Sequence, residues 1–229
     1  MAARIADRLL VAVHYGDSLI VTKQNDAKDA IDDPSPACAN AAYSVQSVAP
    51  NVILGKRIPS VKVLSQADAR PWHLHELLPS NGRWRVLVFP GDVTNDEQHR
   101  KLSQVASTFG DCDSFLQRFT PKGARYDQVF EVVAIHSAKR AQVTIFDFPE
   151  VFRQYDENDG WDYDKIFVDD VSYHEGHGKI YQEFGISADG CIIVVRPDQY
   201  VSYIGPLEDA ATITSFFGNF MVDQSSANS

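Results

Sequence analysis

The chain has 229 residues, 44% of them apolar and 23% charged, with a formal net charge of −10. A chain of this length buries roughly 70% of its unfolded surface, so a core can form without disulfides or metal. The acidic balance argues against nucleic acid and anionic membrane as partners, because both demand clustered Lys and Arg.

Three cysteines, Cys38, Cys112 and Cys191, are widely spaced and odd in number. That usage fits a reducing cytosol better than a disulfide framework. No apolar run approaches the roughly 18 residues of a membrane span, and the first ten residues lack the apolar core of a signal peptide. The expectation is a cytoplasmic protein with no membrane partner.

Residues 4–13 place Ile5, Leu9, Leu10 and Val13 at helical spacing, and Ser18–Val21 reads as an edge strand. From Gln24 to Pro50 the composition turns to Ala, Asp, Ser, Asn and Pro, as in a loop or linker. Residues 1–50 therefore form an irregular N-terminal extension, 51–222 the folded domain, and 223–229 a polar, frayed tail. Within the domain, Val61–Leu64 is a strand, His73–Leu78 an alternating stretch, and Pro79–Gly82 a turn.

A regular pattern starts at Arg83. Arg83–Phe89 is nearly all apolar, as in a strand buried at the middle of a sheet. Thr94–Phe109 reads as a helix, with Thr94 and Glu97 as a capping box and Gly110 at its end. A second helix over 113–119 leads to a strand over 129–136, and 143–146 is a strand or the approach to a helix. The acidic, aromatic stretch 148–164 loops over the surface, either covering the core or meeting a partner. A strand at 165–168 and a helix at 177–184, stopped by Gly185, follow. Cys191–Val195 and Tyr200–Ile204 form a hairpin around Arg196-Pro-Asp-Gln199, and 207–222 closes as an amphipathic helix.

The order of strands and helices in the last part of the chain is that of a thioredoxin-type domain: α/β, a central mixed sheet flanked by helices. Such a domain keeps two thiols three residues apart at a helix N-terminus, where the dipole lowers a thiol pKa. Here the corresponding helix opens with Thr94, Asn95, Asp96 and Glu97, and no cysteine is present. The scaffold is kept without the CxxC motif. A glutathione-linked or peroxide-handling role would need a thiol at that place.

His174, His177, Asp169 and Asp170 could share a metal, but the spacing is not that of a helical zinc site, and a turn at a helix start accounts for it better. His73 and His75, on an extended segment, would share a face and form a hydrogen-bonded structural pair. Neither a Gly-x-Ser-x-Gly elbow nor a phosphate-cradling glycine motif occurs. No catalytic, cofactor-binding or metal-ligating residue is assigned. Structural and interaction candidates are Arg70, Trp72 and His73, which pin the connecting segment, with Arg70 as a bidentate carboxylate partner. Trp84 joins them in the core, and Arg196, Asp198 and Tyr200 fix the hairpin turn.

Three separated stretches in fixed order, Pro59–Leu74, Asn81–Arg85 and Val194–Val201, resemble the C-terminal part of fungal phenol 2-monooxygenases, flavin-dependent aromatic hydroxylases. The resemblance spans roughly residues 50–222, and Val11–Ile20 looks like the segment leaving the catalytic part. It implies a thiol-free thioredoxin-like dimerisation domain. The glycine-rich FAD motif and the catalytic residues of that family have no counterpart here, so FAD and NADPH belong to the family and not to this chain alone. The expectation is a non-catalytic module that forms a homodimer or docks on a flavin-dependent hydroxylase. The alternative is one part of an FAD-dependent aromatic monooxygenase, acting with a separately encoded flavin domain.

Overall fold

A computed structural model describes residues 13–24 and 43–224. The expected helix over 4–13, except Val13, and residues 25–42 with Cys38 lie outside the described residues. The elements that position everything else are β1 (Lys62–Ser65), β2 (Pro71–His73), α1 (Leu74–Leu77), β3 (Trp84–Phe89) and α2 (Asp96–Gly110). They are followed by α3 (Phe115–Arg118), β4 (Phe130–His136), β5 (Ile166–Val168) and α4 (Ile180–Phe184). The chain then forms β6 (Cys191–Val195), β7 (Val201–Gly205) and α5 (Thr212–Gly218).

The strands form one seven-stranded sheet in the order β7-β6-β3-β4-β5-β1-β2. β3, β4 and β5 run parallel, which requires the long crossover that α2 supplies. β6 and β7 form an antiparallel hairpin on the other side of β3. This is the thioredoxin-like arrangement.

β3 reads as an unbroken apolar run because both its faces are covered. Val86 and Val88 point into a core with Leu102, Val105, Phe130, Phe216 and Phe217. Leu87 and Phe89 point the other way, against Leu74, Ile135, Ile180 and Phe184. The period-2 alternation of a strand thus feeds two cores.

Several local expectations shift. The cap of α2 is Asn95, whose side chain accepts from the Glu97 N–H at 2.9 Å; Thr94 turns away and donates to Asp92. Asn caps at least as well as Thr, so the cap moves one residue along and the helix starts at Asp96. Residues 143–146 form neither a strand nor a helix but part of a pair of 3₁₀ turns, Arg140–Gln142 and Ile145–Asp147. Ser18–Val21 is a tight turn closed by one bridge between its ends. The closing helix is a 3₁₀ turn, Leu207–Asp209, followed by the short α5. The tail begins tied down, since Asp223 pairs with Arg118 at 2.9 Å.

The helix expected from His177 begins only at Ile180, because His177 lies in a small hairpin, Val171–Ser172 against Gly176–His177. The α4 N-terminus is capped from a distance: the Asp169 carboxylate accepts from the N–H of Ile180 and of Tyr181, at 3.0 and 3.1 Å.

Candidate interaction surfaces

In a redox thioredoxin, chemistry sits at the turn between β3 and α2. Here that turn is Pro90-Gly91-Asp92, and Tyr181 closes it. The Tyr181 hydroxyl accepts from the Gly91 N–H at 2.9 Å and donates to the Ile135 carbonyl at 2.7 Å. Burial raises its pKa well above the ordinary phenol value, so it stays a neutral bridge. Cys191, a thiol of the core on that side of the sheet, is fully buried and its pKa is pushed up by the loss of water, which disfavours the thiolate.

The candidate residues fall into separate groups. Arg196 bonds Asp198 at 2.6 Å within the β6–β7 turn, and its guanidinium lies 4.6 Å above the ring of Tyr15 and 5.8 Å from that of Tyr200. Tyr15 in turn packs edge-on to Tyr200 at 4.9 Å. The turn therefore also holds the N-terminal segment. Gln199, which sequence reasoning passed over, is its buried hub: it donates to the carbonyls of Leu78 and His75 and accepts from Arg57. A polar residue inside an Arg-Pro-Asp-Gln turn gives no sequence signal that its amide is buried.

Arg70 differs from expectation. It forms no ion pair among the described residues; its guanidinium stacks over Trp72 at 4.1 Å, a cation–π contact, while Asp68 is taken by backbone N–H groups. His73 and His75 do not form a pair. His73 ends β2 and caps α1 with Glu76, whereas His75 Nε2 meets the Ile58 carbonyl at 2.6 Å. Trp84 stands at the start of β3, half-buried, among Phe216, Phe217 and Phe220 of the closing helix region, at 5.3 to 6.2 Å.

Both sheet edges are closed. In the β1–β2 register, Trp72 faces Val63, so the outward backbone positions of β2 are Pro71, which has no N–H, and His73, whose N–H is taken by Glu76. On the other side, Thr22 and Val45 donate to the outward carbonyls of Ser202 and Ile204 on β7, and Ser44 Oγ accepts from the Ile204 N–H. An edge without free donors does not add a strand from another chain.

Exposed apolar side chains gather in patches. Trp161 packs edge-to-face with Phe146 and Tyr155 at 5.8 and 5.2 Å beneath Arg153, while Phe148 and Phe152 of the same stretch are buried in the core. The stretch thus both covers the core and presents aromatics. Asp156, Asp159, Asp162 and Asp164 line the hollow beside it with Arg125. A larger groove of about 890 Å³ runs between the end of α2, α3 and residues 149–155. A second patch is the hairpin 171–177, where Val171 and Tyr173 are exposed. At its base, His177 Nε2 lies 2.8 Å from Asp169, and His174 packs on Tyr173; among the described residues no group of three or more His, Cys, Asp or Glu side chains is placed to hold a metal. No helix of the described residues is long and apolar enough to cross a membrane.

The family described as phenol hydroxylase, C-terminal dimerisation domain, matches residues 13–225. The FAD-dependent monooxygenase terD of Aspergillus terreus is 31% identical, over 95% of this chain and 33% of its own length. Phenol 2-monooxygenase fsqG of Aspergillus fumigatus is 32% identical, over 90% of this chain and 31% of its own length, and 3-hydroxybenzoate 4-monooxygenase of Comamonas testosteroni is 31% identical over 82% and 29%. The chain thus spans about a third of the length of these curated relatives. Among solved structures, a thiol:disulfide interchange protein from Bacteroides sp. matches with a TM-score of 0.48 at 10% identity, over 78% of this chain and 96% of that one. The chain belongs to the phenol hydroxylase C-terminal dimerisation domain family, related to FAD-dependent aromatic monooxygenases.

Proposed function

We propose that this polypeptide is a non-catalytic dimerisation module which holds no flavin itself and serves an aromatic hydroxylase in the cytosol. The observation that carries the reading is the β3–α2 turn, where a thioredoxin would keep its thiols. Tyr181 spans that turn through the Gly91 N–H and the Ile135 carbonyl, and the Cys191 thiol behind it is sealed and protonated. Two continuous apolar cores support the scaffold without a cofactor. Closed sheet edges leave side-chain surfaces for assembly, with a second copy or with a flavin-dependent hydroxylase.

The test is direct. Purified protein should be colourless and should not oxidise NADPH in the presence of phenol; stoichiometric flavin absorbance would overturn the reading. A second reading, one part of an FAD-dependent monooxygenase completed by a separately encoded flavin domain, is favoured by relatives about three times as long as this chain. Adding the chain to a hydroxylase cut before its own matching domain should then restore activity, and no restoration would count against it.

A further inference from the structure

We infer that the hairpin 171–177 and the hollow at its base form the self-complementary surface through which two copies of this chain associate. The inference rests on the dimerisation reading and names its contact. Tyr173 stands at the tip of the hairpin with 95% of its surface exposed, and Val171 beside it is 61% exposed. Beside them lies a hollow of about 430 Å³, walled by Leu64, Ala69, Pro71, Arg140 and Ala141 on one side and by residues 170–175 of the hairpin, Tyr173 included, on the other. A projecting ring and a receiving hollow on one face are what a two-fold contact requires, because each copy then gives its ring and takes its partner's. Arg140, whose Nη2 donates to the Ala67 carbonyl at 3.3 Å, stands in the wall of this hollow and sets a cation beside the place an incoming Tyr173 would take.

The hairpin is braced, so little order has to be gained on binding. Lys62 pairs with Glu175 at 2.9 Å and donates to its carbonyl, and the Asp170 carboxylate holds the N–H groups of Val171 and Arg140. At the hairpin's foot Gly178 lies so close to the Lys62 carbonyl that a Cβ would come within 1.9 Å, which leaves room for glycine alone.

Charge decides between this patch and the aromatic one around Trp161. A two-fold contact sets each charge against copies of its own neighbours. Around Trp161 the carboxylates of Asp156, Asp159, Asp162 and Asp164 would face one another, and the cations beside them are already engaged: Arg125 with Asp127 and Asp159, Lys165 with Asp127, Glu131 and Asp162, and Arg153 with the Phe148 carbonyl and the aromatic rings. Around the hairpin, Asp68, Asp169, Asp170 and Glu175 alternate with Lys62, Arg70, Lys139 and Arg140. A mixed patch on a chain of net charge −10 suits a second copy; an acidic patch repels one.

Sedimentation equilibrium of the full chain over a range of concentrations tests this, on wild type, Tyr173→Ala, Ala141→Arg and the control Tyr155→Ala. A dimeric wild type is expected. Tyr173→Ala should raise the dimer dissociation constant by about 30-fold or more, as loss of a central aromatic anchor does. Ala141→Arg, which fills the hollow from an exposed position, should give monomer, and Tyr155→Ala should leave the wild-type constant. A cooperative thermal melt and a wild-type circular dichroism spectrum of the monomeric variants would confirm that they fold. A dimer that ignores both Tyr173→Ala and Ala141→Arg would overturn this surface and leave dimerisation standing. A wild type that stays monomeric at every concentration would overturn the dimerisation reading itself.

Discussion

Lowering the pH from 7 towards 4 should destabilise this fold mainly through one residue, His136. It ends β4 with no exposed surface, packed against the ring of Phe148 at 5.2 Å. Its Nε2 lies 3.0 Å from Gln66 Oε1, and the Gln66 amide nitrogen is engaged with the carbonyls of Arg140 and Val143. Gln66 can therefore only accept from the ring, so His136 is neutral with its proton on Nε2. Its Nδ1 is buried without a partner among the described residues, and a second proton there would place an unpaired charge in an apolar core. Loss of water brings the pKa down from 6.5 to about 4, against a smaller upward pull from Asp92 and Asp170. Between those values the unfolded chain binds the proton and the folded chain does not. Stability therefore falls as pH drops from 6.5 to 4, by about 3 kcal/mol in all, and changes no further through this residue below 4.

Urea unfolding of wild type and His136→Gln at pH 7.5, 6.5, 5.5 and 4.5 measures the effect. His75, whose pKa is also lowered by burial, acts in the same direction in both proteins, so the difference between the curves isolates His136. Wild type should lose up to about 1.4 kcal/mol per pH unit more than the variant across this interval. Parallel curves, or a His136 ring that titrates near 6.5 by NMR, would refute the reasoning.

Trp84→Ala should cost about 3 kcal/mol, the low end for a core tryptophan because Trp84 is only half-buried, and should lower the Tm by roughly 6–12 °C in calorimetry; a loss under about 1 kcal/mol would mean the ring adds nothing to the Phe216–Phe217–Phe220 cluster. Gly55 has a φ of +75° and its Cβ position lies 2.0 Å from the Tyr15 carbonyl oxygen. Gly55→Ala should therefore release the segment carrying Tyr15, at a cost of about 2 kcal/mol, seen as faster amide exchange at Tyr15 and proteolysis within 13–24; unchanged exchange would contradict the contact. In native protein, iodoacetamide should label exposed Cys112 and spare Cys191 until the chain is unfolded, as read by peptide mass mapping.

Much of the scaffold was readable along the chain. The unbroken apolar run of β3, the Asn81-Gly82 turn before it and the Gly185 stop after α4 are local signals, and they fall where the sequence places them. Short-range choices shifted where two neighbours compete, as Thr94 and Asn95 do for the α2 cap, and where tertiary contacts redirect a segment, as the 171–177 hairpin does for the start of α4. The groups that organise the surfaces are different in kind. Asp169 caps α4 from across a hairpin, Gln199 reaches back to the carbonyls of His75 and Leu78, and Arg70 prefers the face of Trp72 to a carboxylate. The first two pairings span distances along the chain over which no periodicity runs, and the third depends on which face of an extended segment meets which neighbour.

The absence of a thiol pair at the start of α2, the acidic balance and the strand-helix order were fixed by residue identity, since they depend on which side chains exist and on their spacing over a few positions. Which polar groups are buried, that the edge N–H groups of His73 and Ile204 are taken by Glu76 and Ser44, and that Tyr173 stands beside a hollow depend on chain segments folding against one another. Burial and hydrogen-bond satisfaction are properties of surroundings, and only the packed tertiary structure supplies those.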